Sequence, residues 1–448
     1  MKFGGYAGRA APSFRSLLLI GLLFTLVADF RRAEGDTNLL VVIMGLSNIV
    51  FGAALIATER YHHRRVLTMA VPFIIFAVAS CTIGVLRGQD LYAVLAQAVP
   101  VIIFTQTFVI FATYPRTTDR LNQLISLSII SGLLAAVWKV VFAFSYYGLT
   151  EGTVRYQILS GASVLLFSYA VASFLTGGRK YMWPAMIMSL GVVFASVTRT
   201  YLVIFAVSGA IAIMLLPASH AKRSLMRAIS LLLAIAGCLC VLKFVFPELG
   251  ERWLQRIFSY REVGVDVTSL TRIAEAKGQL QELSNSPLGT TFGFGMLGKI
   301  NWSGEEVNTL VSILGSNAST AGVSYGHNFY TGLIFVGGIV FGLPVALVIF
   351  GTLIRSYRKL RRQYAGLSGE ERFAALFSVA ATSGYVCFGF MGGTFGDRSI
   401  SFYYAVATGL MLRFLVKGTG RTYSDARAQT GVQASGTFHD QTFPVAKP

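Results

Sequence analysis

Apolar runs of about twenty residues recur along almost the whole chain, separated by short connections that hold most of its charge. A bilayer core of about 30 Å is crossed by roughly 20 helical residues, because backbone in lipid must satisfy its own hydrogen bonds. The runs predict spans at 16–31, 38–57, 66–86, 91–112, 121–144, 157–176, 182–198, 200–217, 226–247, 327–354, 373–391 and 399–416. The expected fold class is therefore an all-α polytopic membrane protein of about twelve transmembrane helices with one large extramembrane loop that contains short helices.

This pattern divides the chain into four parts: a transmembrane bundle of about nine spans (1–247), the loop (248–326), about three further spans (327–416) and a tail (417–448). The tail is rich in Gly, Ser, Thr and Gln and is expected to be disordered. Within the loop, Ile273, Ala276, Leu280 and Leu283 recur at three- and four-residue steps, the spacing of one helical face. They predict an amphipathic helix near the membrane surface, starting behind Thr268-Ser269 as N-cap residues and ending before Pro287.

Composition agrees: 54% of the 448 residues are hydrophobic, 13% are charged, and the mean hydropathy is +0.62, against about a quarter charged in soluble domains. A net charge of +18 raises the question of nucleic acid, but the basic residues stand in short clusters between apolar runs. That is the distribution of positive-inside loops, so no nucleic-acid partner is expected. Alternate connections hold 24 and 12 of the Lys and Arg residues, with Lys139 and Lys243 inside spans near the lightly charged side. This asymmetry puts both termini in the cytoplasm and the long loop outside, which in a bacterium is the periplasm. The N-terminal run lacks an A-x-A-like cleavage site before Arg31-Arg32 and is read as a retained span. The four cysteines, Cys81, Cys238, Cys240 and Cys387, all fall in apolar segments and predict neither a disulfide framework nor a thiolate metal site.

Candidate chemistry concentrates on the lightly charged side. Arg199 stands in a connection too short to be anything but a tight turn, where its planar fork can clamp a phosphate or carboxylate, or simply snorkel to headgroups. Arg252, Arg256, Arg261 and Arg272 form a basic series in the loop, able to face an anion or to pair with Glu251, Glu262 and Glu275. In Pro287–Gly295, glycines at 289, 293 and 295 permit close backbone approach or positive φ, and the loop is a candidate to present amides to a phosphate. His327 and Asn328 sit where the chain re-enters the membrane. His327 can exchange protons or orient a hydroxyl there, while the plainer reading makes Asn328 a helix cap and Tyr330 part of the aromatic belt. The sequence contains no HExxH, GxSxG or Walker motif and no carboxylate-rich metal cluster.

Thr198-Arg199-Thr200, Arg272 followed by Pro287-Leu288-Gly289 and Gly293-Phe294-Gly295, and His327-Asn328, in this order and topology, resemble the O-antigen ligase and Wzy-type O-antigen polymerase superfamily over residues 190 to 415. The resemblance implies metal-independent, cofactor-free glycosyl transfer at the periplasmic face of the inner membrane, in lipopolysaccharide O-antigen or exopolysaccharide biosynthesis. The donor would be an undecaprenyl-pyrophosphate-linked glycan, and the acceptor a hydroxyl of lipid A-core or of a lipid-linked repeat unit. Arg199 and Arg272 would stabilise the departing pyrophosphate, and His327 would orient or deprotonate the acceptor. Arg252, Arg256, Gly293, Gly295 and Asn328 would line the substrate. The competing expectation is a transporter or polysaccharide exporter without catalytic activity. It is disfavoured by the lack of inverted halves and by intramembrane lysines confined to one side.

Overall fold

A computed structural model describes residues 13–29, 39–58, 64–147, 158–217, 250–254, 267–300 and 328–416, together with isolated positions between 226 and 247 and residues 308–309. Among these residues the protein is entirely helical. The elements are α1 (Phe14–Phe24), α2 (Leu39–Thr58), α3 (Arg64–Leu86), α4 (Leu91–Thr113), α5 (Thr118–Tyr147), α6 (Ser163–Thr176), α7 (Met182–Ser196), α8 (Arg199–Leu215), α9 (Val267–Asn285), α10 (Pro287–Phe292), α11 (Phe329–Gly337), α12 (Leu343–Gln363), α13 (Gly369–Gly389) and α14 (Arg398–Val416). Six stretches are long and apolar enough to cross a membrane: α2, α3, α4, α5, the α11–α12 stretch and α14. The predicted span at 226–247 lies largely outside the described residues, and the tail from Lys417 onward lies outside them altogether.

Of these six stretches, α4 and α14 are the most enclosed, and they pack against each other. Gly409 allows the approach, since a Cβ there would lie 2.8 Å from the Phe108 carbonyl, and Phe104 meets Tyr404 edge-on at 5.2 Å. In a bilayer, helix association relies on close packing and on small polar residues rather than on water exclusion. Around α6, α8 and α13 this takes the form of Ser168 and Ser208, 2.9 Å apart, with Ser208 donating to the Ala380 carbonyl at 2.9 Å.

Two elements depart from the hydropathy reading. The first helix ends at Phe24, well before residue 31, and beside that end buried Asn48 donates to the Thr25 hydroxyl (2.8 Å) and to the Leu22 carbonyl (2.9 Å), the acceptor that Leu26 N–H would use in a continuing helix. The span beginning at Phe329 is broken. Helix α11 stops at Gly338, where φ is +62°, and a π-helical segment, Gly338–Gly342, leads into α12.

Charged side chains near the helix ends find local partners, taken in turn for the two sides that the alternation of connections predicts. At the more basic end, Arg179 pairs with Glu370 at 2.6 Å, Arg413 donates to the Pro115 carbonyl at 2.7 Å, and Arg15 reaches the Thr58 carbonyl. At the other end, Arg398 pairs with buried Asp29 at 2.9 Å, and Arg87 lies over the Phe294 ring at 4.4 Å.

Candidate functional site

The site residues are held by the end of the bundle opposite the main basic clusters. Helices α7 and α8 are joined by only Val197 and Thr198, and Val197 adopts φ +51°, a left-handed conformation unusual for a β-branched residue. The turn is held by Trp253, whose indole N–H donates to the Phe194 carbonyl at 3.0 Å and whose ring packs on Phe194 and Val197. Arg199 thus opens α8 from a fixed turn and is half-buried.

Arg272 projects from α9 and donates to the Thr200 hydroxyl at 3.3 Å, so the second candidate arginine meets the residue directly after the first. Seven residues on, Gln279 accepts a hydrogen bond from the Thr331 hydroxyl of α11. Arg272, Glu275 and Gln279 share one face of α9, and Glu275 and Gln279 are only 3% and 1% exposed. The apolar positions of the predicted face instead point outward, Ile273 at 49% and Leu280 at 52% exposure, and only Leu283 joins the core. The predicted helix is correct, with its polar side inward. It also begins at Val267, ahead of the expected Thr268-Ser269 cap. Among the described residues, Gln279 Nε2 has no hydrogen-bond partner.

The glycine-rich segment is only partly a loop. Pro287–Phe292 is a helical turn capped by Ser286, whose hydroxyl accepts from the Gly289 amide at 3.0 Å. Gly293 and Gly295 then adopt φ of +84° and +78°. Their amides donate to the carbonyls of Gly289 (2.8 Å) and Val336 (2.9 Å), while Phe294 N–H donates to Phe335 (2.8 Å) and Met296 N–H to Ser80 (2.9 Å). The amides that the sequence offers to a phosphate are here both engaged within the chain, Gly293 in its own turn and Gly295 on the broken end of α11, and the absent side chains make room for close backbone contact. A Cβ on Gly293 would lie 2.2 Å from the Val336 oxygen, and one on Gly295 2.4 Å from the Gly84 nitrogen.

Asn328 caps α11, accepting from the N–H groups of Tyr330 (3.0 Å) and Thr331 (3.3 Å). Tyr330 is buried and donates to the Val386 carbonyl near the end of α13 at 2.9 Å. Because the Asn328 oxygen is committed to the cap, Asn328→Ala should lower stability by about 1 kcal/mol while Asn328→Asp largely preserves it, as read from thermal unfolding of the purified protein. Equal loss in both variants would instead assign the side-chain amide a separate contact.

Arg252 is exposed beside Trp253, whereas Arg256 and His327 lie outside the described residues. Glu275 and Gln279 were not singled out as substrate-facing groups. Their spacing of three and seven residues from Arg272 is in the sequence, but only burial of that face marks it. Among the described residues no group of three or more His, Cys, Asp or Glu side chains could hold a metal ion. No family model matches the chain, and no curated protein matches it significantly.

Proposed function

We propose that the chain transfers a glycan from an undecaprenyl-pyrophosphate donor to an acceptor hydroxyl at the periplasmic face of a bacterial inner membrane, as an O-antigen ligase or polysaccharide polymerase. In this reading about twelve spans place both termini in the cytoplasm and residues 248–326 outside.

The observation that carries the proposal is the hydrogen bond from Arg272 to Thr200, which brings half-buried Arg272 to the residue that follows half-buried Arg199, from a distant part of the sequence. A pyrophosphate leaving group gains negative charge as the sugar–phosphate bond breaks, and preformed guanidinium donors stabilise that charge most where water is scarce. The leaving group itself supplies the driving force, so the reaction needs no nucleotide. His327, directly before the Asn328 cap, would receive or orient the acceptor proton, and Gln279 Nε2 would donate to a sugar or phosphate oxygen.

The transporter reading looks to the interrupted span, since broken helices commonly bind ions through freed carbonyls. Here the carbonyls of Phe335 and Val336 are already taken by the amides of Phe294 and Gly295.

The test is a deletion strain complemented with the wild-type chain, its lipopolysaccharide and secreted polysaccharide resolved by size. Loss of glycan from lipid A-core with accumulation of lipid-linked polymer indicates a ligase, and single-repeat caps or loss of secreted polymer a polymerase. An unchanged profile would refute the proposal. With the purified protein, millimolar EDTA should leave the initial transfer rate within about twofold, because the charge is neutralised by arginine rather than by a cation.

A further inference from the structure

At the opposite end of the bundle, α12 carries Arg355, Arg358, Lys359, Arg361 and Arg362 without any acidic residue. Arg355, Arg358, Lys359 and Arg362 recur at three- and four-residue steps and share a face, an arrangement that repels itself unless anions neutralise it. Arg65 of α3 adds its charge near Lys359. Among the described residues no carboxylate pairs with the four arginines.

Two adjoining cavities lie along this helix. One, of about 390 Å³, is lined by Arg355, Arg358, Lys359 and Arg362. The other, of about 500 Å³, shares Arg358 and Arg362, adds Arg361, and continues over the apolar surface of Ile211, Leu353 and Ile354 between α8 and α12. Tyr357 donates to the Met214 carbonyl at 3.3 Å, tying α12 to the end of α8 beside the cations. From Leu353 to Arg362 the helix rises about 13 Å, a length over which an acyl chain can lie while its headgroup stays among the arginines.

We propose that this groove binds an anionic phospholipid carrying two phosphodiesters, one at each basic cavity. The positive-inside rule turns this end to the cytoplasm, where membrane surfaces are negatively charged. Arg358 and Arg362, which line both cavities, would bridge the two phosphates through their forked donors. Ile211, Leu353 and Ile354 would hold one chain. The proposal does not depend on the transfer reaction at the other end.

The test uses the full-length protein in phosphatidylcholine nanodiscs titrated with cardiolipin or phosphatidylglycerol, with bound lipid counted by native mass spectrometry. Cardiolipin should bind more tightly than phosphatidylglycerol. Arg358→Gln with Arg362→Gln should weaken it roughly thirtyfold, and the corresponding double lysine variant, which keeps the charges without the forks, should recover only part of the binding. Should the glutamine variant fail to fold, Ile211→Trp fills the groove from its apolar side and should expel the lipid with every cation intact. Equal binding of the two lipids, unchanged binding in the variants, or displacement of cardiolipin by millimolar pyrophosphate would each overturn the proposal.

Discussion

Alanine at position 272 is expected to reduce glycan transfer by about two to three orders of magnitude, the usual loss when one preorganised donor to a developing oxyanion is removed. Arg199→Ala should have a comparable effect. Both variants should still insert, because neither arginine forms part of the apolar core. Arg272→Lys should recover little, since an ammonium cannot reproduce the planar fork that donates to Thr200 and, in the proposed reaction, would hold phosphate oxygens as well. Thr200→Val removes only the acceptor that orients Arg272 and should cost about fivefold, near 1 kcal/mol. His327→Ala should lose about two to four orders of magnitude if the imidazole handles the acceptor proton. The measurement is single-turnover transfer by purified protein from a lipid-linked donor, without any ion gradient, so a transporter would give no signal. Wild-type rates in Arg199→Ala, Arg272→Ala and His327→Ala alike would dismiss the site.

The second large effect concerns structure. Gly295→Ala should destabilise the protein by about 3–5 kcal/mol, from the cost of a side chain at positive φ together with overpacking. Little can relax, because the obstruction is the backbone of Gly84 rather than a movable side chain. In detergent, the temperature at which half of the protein loses monodispersity should fall clearly below that of the wild type. Gly209→Ala is the matched control: its Cβ would meet nothing within 4 Å, and alanine is the better helix former. If both variants melt like the wild type, the packing of residues 293–296 against α3 and α11 is not a stabilising feature.

The helical, membrane-crossing character of the chain was readable from hydropathy alone, and so were a tight turn at Arg199, which the structure places just before it at Val197-Thr198, and the capping position of Asn328. The orientation of α9 was not. Periodicity shows which residues lie together on a helix but not which medium they face. At a membrane surface the apolar side of Ile273 and Leu280 can turn outward while Arg272, Glu275 and Gln279 turn inward. The early end of α1 lies beside Asn48, a polar residue inside another apolar run, whose partners are settled only by packing. The break after α11 was also invisible. Gly337 and Gly338 read equally well as small residues of a continuous span, and the segment whose amides donate to the freed Phe335 and Val336 carbonyls lies some forty positions earlier. The ends of the candidate site were therefore marked in advance, while the inward-facing polar surface between them was not.

The attachment of residues 293–296 to both Ser80 and the Phe335–Val336 carbonyls also constrains biogenesis. When this segment leaves the ribosome, α3 has long been made, but its second anchor is still some forty residues away. At bacterial-type synthesis rates that interval lasts roughly 2–8 s. During it Gln279 of α9 lacks the Thr331 hydroxyl from which it accepts, although Thr200, the partner of Arg272, has already been made. The buried polar face of α9 is thus completed last, by a helix synthesised after it.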